Sequence, residues 1–255
     1  MSNTVKTWVL LRGLTREHRH WDDFTEKLQR CFPDTKIITP DLPGNGDHAD
    51  LTSPASIRDM MLFLREDIAS TITSGPVHII GLSMGAMVAI EWMKSYPQEC
   101  AASILINTSL KGINPFYHRL QPKNYCNILY SLFSSNIYRR EKFILKLTSN
   151  LYPDTDPLLQ RWVSYAEENT VLPSNALRQL LAASRYYAPK LKPDVPILLL
   201  RSKNDNLVNS KSSVTIAQKW LLPMKTHPLA GHDVPLDDGD WVCQKIHHWL
   251  ANINE

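Results

Sequence analysis

The sequence predicts an α/β protein: a mostly parallel sheet of about six strands with helices on both faces and an inserted helical cap. Two observations carry the prediction. Short apolar runs bounded by turn residues alternate with longer stretches of helical spacing, and one long segment breaks the alternation with helical patterns alone. The 255 residues, 43% hydrophobic and 21% charged, supply a core for one large domain or two small ones.

The apolar runs are Lys6–Leu11, Lys36–Pro40, Val77–Gly81, Ser103–Asn107, Pro196–Leu200 and, more weakly, Lys225–Leu229. Runs this short and this apolar read as strands buried on both faces, the condition of a parallel sheet. Trp21–Cys31, Ser56–Ile72, Ala86–Tyr96, Ser210–Leu221 and Val234–Ile253 repeat apolar residues at three- and four-residue steps, as helices lying on a sheet do. Residues 111–193 offer no convincing strand. They carry helical patterns over Asn124–Phe133, Arg140–Leu151, Pro157–Asn169 and Asn175–Tyr187, separated by prolines. This segment is expected to cap the C-terminal ends of the strands, where open α/β sheets bind ligands. The plain alternative is that it covers a sheet face. The chain divides into a core of residues 1–110 and 194–255 and a cap of residues 111–193.

Composition excludes several classes. The 28 Lys and Arg exceed the 25 Asp and Glu by three, with no block of like charges that would read as a nucleic-acid arm. Four cysteines, Cys31, Cys100, Cys126 and Cys243, lie far apart and form no zinc or disulfide pattern. The apolar run near the N-terminus, Trp8 to Leu11, is too short for a signal-peptide core or a membrane span. A cytoplasmic protein without metal, cofactor, nucleic-acid partner or membrane span is the expectation.

The most informative stretch is Ile79-Ile80-Gly81-Leu82-Ser83-Met84-Gly85-Ala86, a G-x-S-x-G between a buried strand and an amphipathic helix. A sharp strand-to-helix turn thrusts the serine oxygen into the open, and crowding there demands small residues at Gly81 and Gly85. An idle hydroxyl on a structural turn is the alternative. Serine needs a base to become a nucleophile. Of the nine histidines, His232 alone sits in a loop directly after a late strand and before the last helix. His78, His247 and His248 lie inside elements, while His18 and His20 could reach the mouth of a pocket. For the acid, the loop after Ile197–Leu200 offers Asp205; Asp233, adjacent to His232 in sequence, is poorly placed to bond its Nδ1.

In this order the residues resemble the α/β-hydrolase superfamily, of the serine esterase type with a helical cap, and the resemblance covers nearly the whole chain. It rests on Leu10-Leu11-Arg12-Gly13-Leu14, Trp21, Pro40-Asp41-Leu42-Pro43-Gly44-Asn45-Gly46, the turn at Ser83, the loop at Asp205 and Gly231-His232. It implies a Ser83-His232-Asp205 acyl-transfer centre, with an oxyanion hole from the backbone N–H groups of Met84 and Leu14. Each such donor is worth about 3 kcal/mol of barrier. One departure stands out: the family's His-Gly is Arg12-Gly13 here. Arg12 could brace the loop by pairing with Asp41 or another acid, or could face an anionic substrate.

The cap is rich in aromatic and aliphatic residues, so an ester with an apolar acyl or alkyl group is the expected substrate, with Arg12, Trp21, Tyr125 and Phe133 as candidate pocket residues. From Lys111 to Lys146 basic residues face Glu141 alone. Such a surplus is either a solvated surface or a docking patch for an acidic acyl carrier, as in the similar pimeloyl–acyl carrier protein methyl ester esterases. Ester hydrolysis through an acyl-enzyme is the first reading; C–C hydrolysis or elimination on the same triad, or weakly catalytic ligand binding, are the rivals.

Overall fold

The computed structural model describes residues 6–72, 75–134, 136–152 and 157–253. Six strands form one parallel sheet: β1 Lys6–Leu11, β2 Thr35–Ile38, β3 Val77–Leu82, β4 Cys100–Ile106, β5 Ile197–Ser202 and β6 Met224–His227. Their spatial order is β2-β1-β3-β4-β5-β6. The chain leaves β1 toward one edge and returns at β3 to build toward the other, so a crevice opens between the C-terminal ends of β1 and β3. All six strands end on the same side, and the loops that follow share that side.

The helices are α1 Phe24–Cys31, α2 Ile57–Asp67, α3 Met84–Ser95, α4 Phe116–Arg119, α5 Tyr125–Phe133, α6 Ile137–Thr148, α7 Pro157–Glu168, α8 Pro173–Arg185, α9 Lys211–Trp220 and α10 Val234–Ile253. Alternation along the strands sorts the side chains between two apolar layers. Val9, Leu11, Ile79, Leu105 and Leu199 face α2, α3 and α9, where Met60, Leu64, Trp92 and Ile216 meet them. Trp8, Leu10, Ile80, Ile104 and Leu198 face α1 and α10, against Phe24, Leu28, Val242 and Ile246. Both faces are dry over the central strands β1, β3, β4 and β5, which is why these read as unbroken apolar runs. The edge strands expected to be buried are not, since β2 is half-buried and β6 exposes Lys225 and Thr226 where no further strand or helix covers them.

The helices α4 to α8 all fall between β4 and β5, in the segment where the alternation breaks. Helix α4, four residues long, is too short for a periodicity to reveal. A small cluster of Leu145, Leu158, Leu159 and Trp162 packs α6 against α7 and is closed by Leu236 at the start of α10. The inserted helices are therefore anchored on the core by apolar contact as well as by their two chain connections.

The tightest point is where α3 passes β1. A Cβ placed on Gly85 would collide with the Leu11 carbonyl and stand 2.6 Å from the Arg12 carbonyl oxygen; one on Gly81 would stand 2.6 Å from the Ala86 Cα. Both obstacles are backbone and cannot swing aside. Gly85→Ala is expected to cost about 3 kcal/mol or more of stability, at the upper end of overpacking changes, read as a lowered urea midpoint with an unchanged m-value. Wild-type stability in that variant would mean the contact is not tight.

Candidate active site

Ser83 follows the last residue of β3 and precedes the first of α3, at φ 57° and ψ −113°. A non-glycine residue in that region is strained, and the surroundings hold it. Its N–H donates to the Ile106 carbonyl at 2.9 Å, and its carbonyl accepts the Thr108 hydroxyl at 2.9 Å. Gly13 lies against it: a Cβ there would stand 3.3 Å from the Ser83 Cβ. The Met84 N–H, at the first position of α3, has no intrahelical acceptor, whereas the Ala86 N–H donates to the Ser83 carbonyl at 3.2 Å.

The β5 loop brings Asp205 to His232. The carboxylate Oδ2 lies 2.7 Å from the imidazole Nδ1, and Oδ1 accepts the N–H groups of Leu207 at 2.8 Å and Val208 at 2.9 Å. With both carboxylate oxygens accepting, Nδ1 is the donor, and in the neutral ring the lone pair is at Nε2. Nε2 is buried and has no hydrogen-bond partner. Asn107, at φ 45° after β4, donates from Nδ2 to the His232 carbonyl at 2.7 Å and accepts the Ser202 N–H at 2.8 Å. It ties the acid-bearing and histidine-bearing loops to the sheet. The inserted segment adds to the hold, since Gln121 donates to the Asp205 carbonyl at 2.8 Å and Asn124 to the Asn206 carbonyl at 2.7 Å.

Ser83 and Leu14 stand on the wall shared by two cavities. One, about 100 Å³, is also lined by Gly13, Arg12, Arg16, Trp162 and His232. The other, about 370 Å³ and mostly apolar, is lined by Met87, Phe116, Tyr125, Ile128 and Leu180. The Leu14 backbone is fixed through its neighbour: Thr15, at φ 57°, donates its N–H to the buried Gln179 side chain at 2.9 Å. Gln179 in turn donates to Asn45 at 2.8 Å and Ser53 at 3.0 Å.

A profile described as the alpha/beta hydrolase family matches residues 8–245. The chain belongs to that family. A Haemophilus influenzae protein provisionally named 2-succinyl-6-hydroxy-2,4-cyclohexadiene-1-carboxylate synthase is 21% identical over 258 residues, 96% of this hydrolase and 97% of that chain. A Pseudomonas putida 2-hydroxy-6-oxononadienedioate/2-hydroxy-6-oxononatrienedioate hydrolase is 22% identical over 112 residues, 44% of this chain and 39% of that one. Among solved structures, an enol-lactonase from Burkholderia xenovorans superposes with a TM-score of 0.79 at 14% identity, covering 98% of this chain and 92% of the other. An esterase from Thermogutta terrifontis gives 0.72 at 18%, covering 99% and 92%. These likenesses are of fold. Among the described residues no helix is long and apolar enough to cross a membrane.

The remaining candidates are placed unequally. Arg12 pairs with Asp233, Nη2 to Oδ2 at 2.5 Å, with Trp21 beneath its guanidinium at 4.7 Å. Asp41 is not its partner: it accepts the N–H and Nδ1 of His18, both at 2.7 Å, and the Asp47 N–H at 3.0 Å. That bond to Asp41 raises the pKa of His18. His18, Asp41 and Asp47 bring potential metal-ligand atoms within 4.8 Å of one another, but the Asp41 oxygens are already occupied by these bonds. Tyr125 lines the apolar cavity, whereas the candidate pocket residues Trp21 and Phe133 line neither cavity. Trp21 is buried under Arg12, and Phe133 is 64% exposed. The basic surplus of the inserted segment is partly internal. Arg119 donates to the Ala183 and Ser184 carbonyls, and Arg140 pairs with the buried Glu141 at 3.2 Å, leaving Lys123, Arg139 and Lys146 exposed.

The sequence reading missed Asn107, Gln179 and Arg16. A polar residue directly after a buried strand was the available sign for Asn107; nothing local marks the other two. Arg12 and Asp233, 5% and 3% exposed at the side chain, hold the β1 loop to the residue after His232. Arg12→Met is expected to cost about 3–5 kcal/mol by stranding a buried carboxylate, and adding Asp233→Asn should recover part of it. Chemical denaturation of both variants checks this. An undiminished Arg12→Met stability would rule out a brace.

Proposed function

We propose that the protein is a serine hydrolase that cleaves carboxylic esters of small to medium acyl groups through an acyl-enzyme. Ser83 Oγ attacks the ester carbonyl while His232 Nε2 takes its proton; Asp205 holds Nδ1–H, fixes the tautomer and stabilises the imidazolium. The tetrahedral oxyanion sits between the backbone N–H groups of Met84 and Leu14, which point at the charge as it forms. His232 then returns its proton to the leaving alcohol, and a water deprotonated by the same nitrogen releases the acid. The apolar cavity beside Ser83 suits an acyl or alkyl chain.

The observation that carries the reading is the Asp205–His232 bond of 2.7 Å with a buried, unpartnered Nε2 on a cavity that Ser83 also lines. A hydroxyl on a strained turn and an oriented imidazole sharing one cavity have acyl transfer as their most direct use. The names of the two relatives favour a second reading, in which the same three residues break a C–C bond or promote an elimination.

A series of p-nitrophenyl esters from acetate to decanoate distinguishes the two. Ser83→Ala is expected to lower kcat by about 10⁴-fold or more on every ester cleaved by the wild type. Equal activity of the two proteins would refute the ester reading. Turnover of a vinylogous diketone with no ester cleavage would establish the second.

A further inference from the structure

The cavity behind Ser83 does not end at His232. Thr15, Arg16, Ser131 and Ile144 line it and also line a smaller recess of about 40 Å³, which His20, Glu141 and Arg140 line as well. Arg16 is the charged residue common to the catalytic cavity and the recess, and it is 8% exposed. Its Nη1 is engaged by Glu141 at 2.6 Å and by the His20 Nε2 at 2.8 Å, and its guanidinium lies over Trp162 at 4.6 Å. Its Nη2 is buried and has no partner. A guanidinium nitrogen without an acceptor in a buried wall forfeits the strongest hydrogen bonds available to it.

Each cation around it has a carboxylate partner. Arg12, Arg16, Arg19 and Arg140 meet three buried carboxylates, Asp233, Glu141 and Glu17. The fourth carboxylate in reach, Glu168 on Arg19, is 56% exposed. His20 adds no charge of its own: burial, then Arg16 and Arg12, push its pKa well below the usual value. Its Nε2 lies 2.8 Å from Arg16 Nη1, and its Nδ1 accepts the Glu17 N–H at 3.2 Å and lies 3.3 Å from the Glu17 carbonyl oxygen.

We propose that Arg16 Nη2 anchors a carboxylate of the substrate, so that the ester cleaved at Ser83 carries an anionic group on the side facing Arg16 and an apolar group on the other. The inference deepens the ester-hydrolase reading and rests on it for the reacting bond only. A carboxylate suits the site better than a phosphate, because the recess is small and Glu141 beside it repels a second negative charge. Binding a monoanion satisfies Nη2; a neutral substituent of the same shape leaves it without a partner.

The test uses matched ester pairs on the full chain. One pair places the charge in the acyl part, p-nitrophenyl hemiglutarate against p-nitrophenyl pentanoate. The other places it in the leaving group, 4-carboxyphenyl butyrate against 4-carbamoylphenyl butyrate. In at least one pair the anionic ester is expected to have a kcat/KM about 10- to 100-fold higher, expressed mainly in KM, the worth of one charge-assisted hydrogen bond. Arg16→Met should bring that ratio close to one, and Arg16→Lys, which keeps a charge without the fork, should leave it intermediate. Ratios near one in both pairs for the wild type would overturn the inference while a Ser83-dependent esterase reading stood. If no ester is cleaved, calorimetric titration decides the subsite alone. Glutarate binding the wild type but not Arg16→Met supports it, and no glutarate binding, or tighter binding of inorganic phosphate, overturns it.

Discussion

The molecule is organised around a contact with no room for a side chain. Where α3 leaves the Ser83 turn, the Gly85 backbone lies on the carbonyls of Leu11 and Arg12, and Gly81 lies on Ala86. This approach fixes the distance between the β3 turn and the β1 loop, and with it the position of Ser83 against Gly13. Hydrogen bonds alone would not impose it, because each could be made at a larger separation. Ser83 sits at that point in a strained conformation, held by bonds to Ile106 and Thr108.

Around that point polar groups bind loops from distant parts of the chain into one body. Asn107 holds the His232 loop, Arg12 reaches Asp233, Gln179 holds Thr15, and Gln121 and Asn124 hold the Asp205 loop. Three of these five residues come from the inserted segment. That segment is therefore part of what positions the β1 and β5 loops, as well as the wall of the apolar cavity. A substitution on α8 can reach the proposed oxyanion site through Gln179 without touching the ligand.

The fold was legible because parallel strands covered on both faces must be apolar at nearly every position, and Lys6–Leu11 and Ile197–Leu200 meet that demand locally. The turn at Ser83 was legible for a related reason, since its glycines answer to sterics within a few residues. What escaped the sequence depends on contacts across the chain. The partner of Arg12 lies 221 positions away, and Asp41, nearer in sequence and equally acidic, is held by His18 instead. Glu141 reads as one acid in a basic stretch but is the buried partner of Arg16 and Arg140. Phe133 and Trp21 share the composition of pocket residues, yet one faces solvent and the other supports an arginine, because side-chain direction is settled only when helices dock.

The proposed chemistry requires Ser83 to be a nucleophile activated by His232 and Asp205. Labelling the folded protein with a fluorophosphonate and locating the adduct by peptide mass spectrometry tests it most directly. One phosphonyl group per chain is expected, on the peptide containing Ser83, with labelling slowed by at least about a thousandfold in His232→Ala. No adduct, an adduct on another residue, or an unchanged rate without His232 would contradict it.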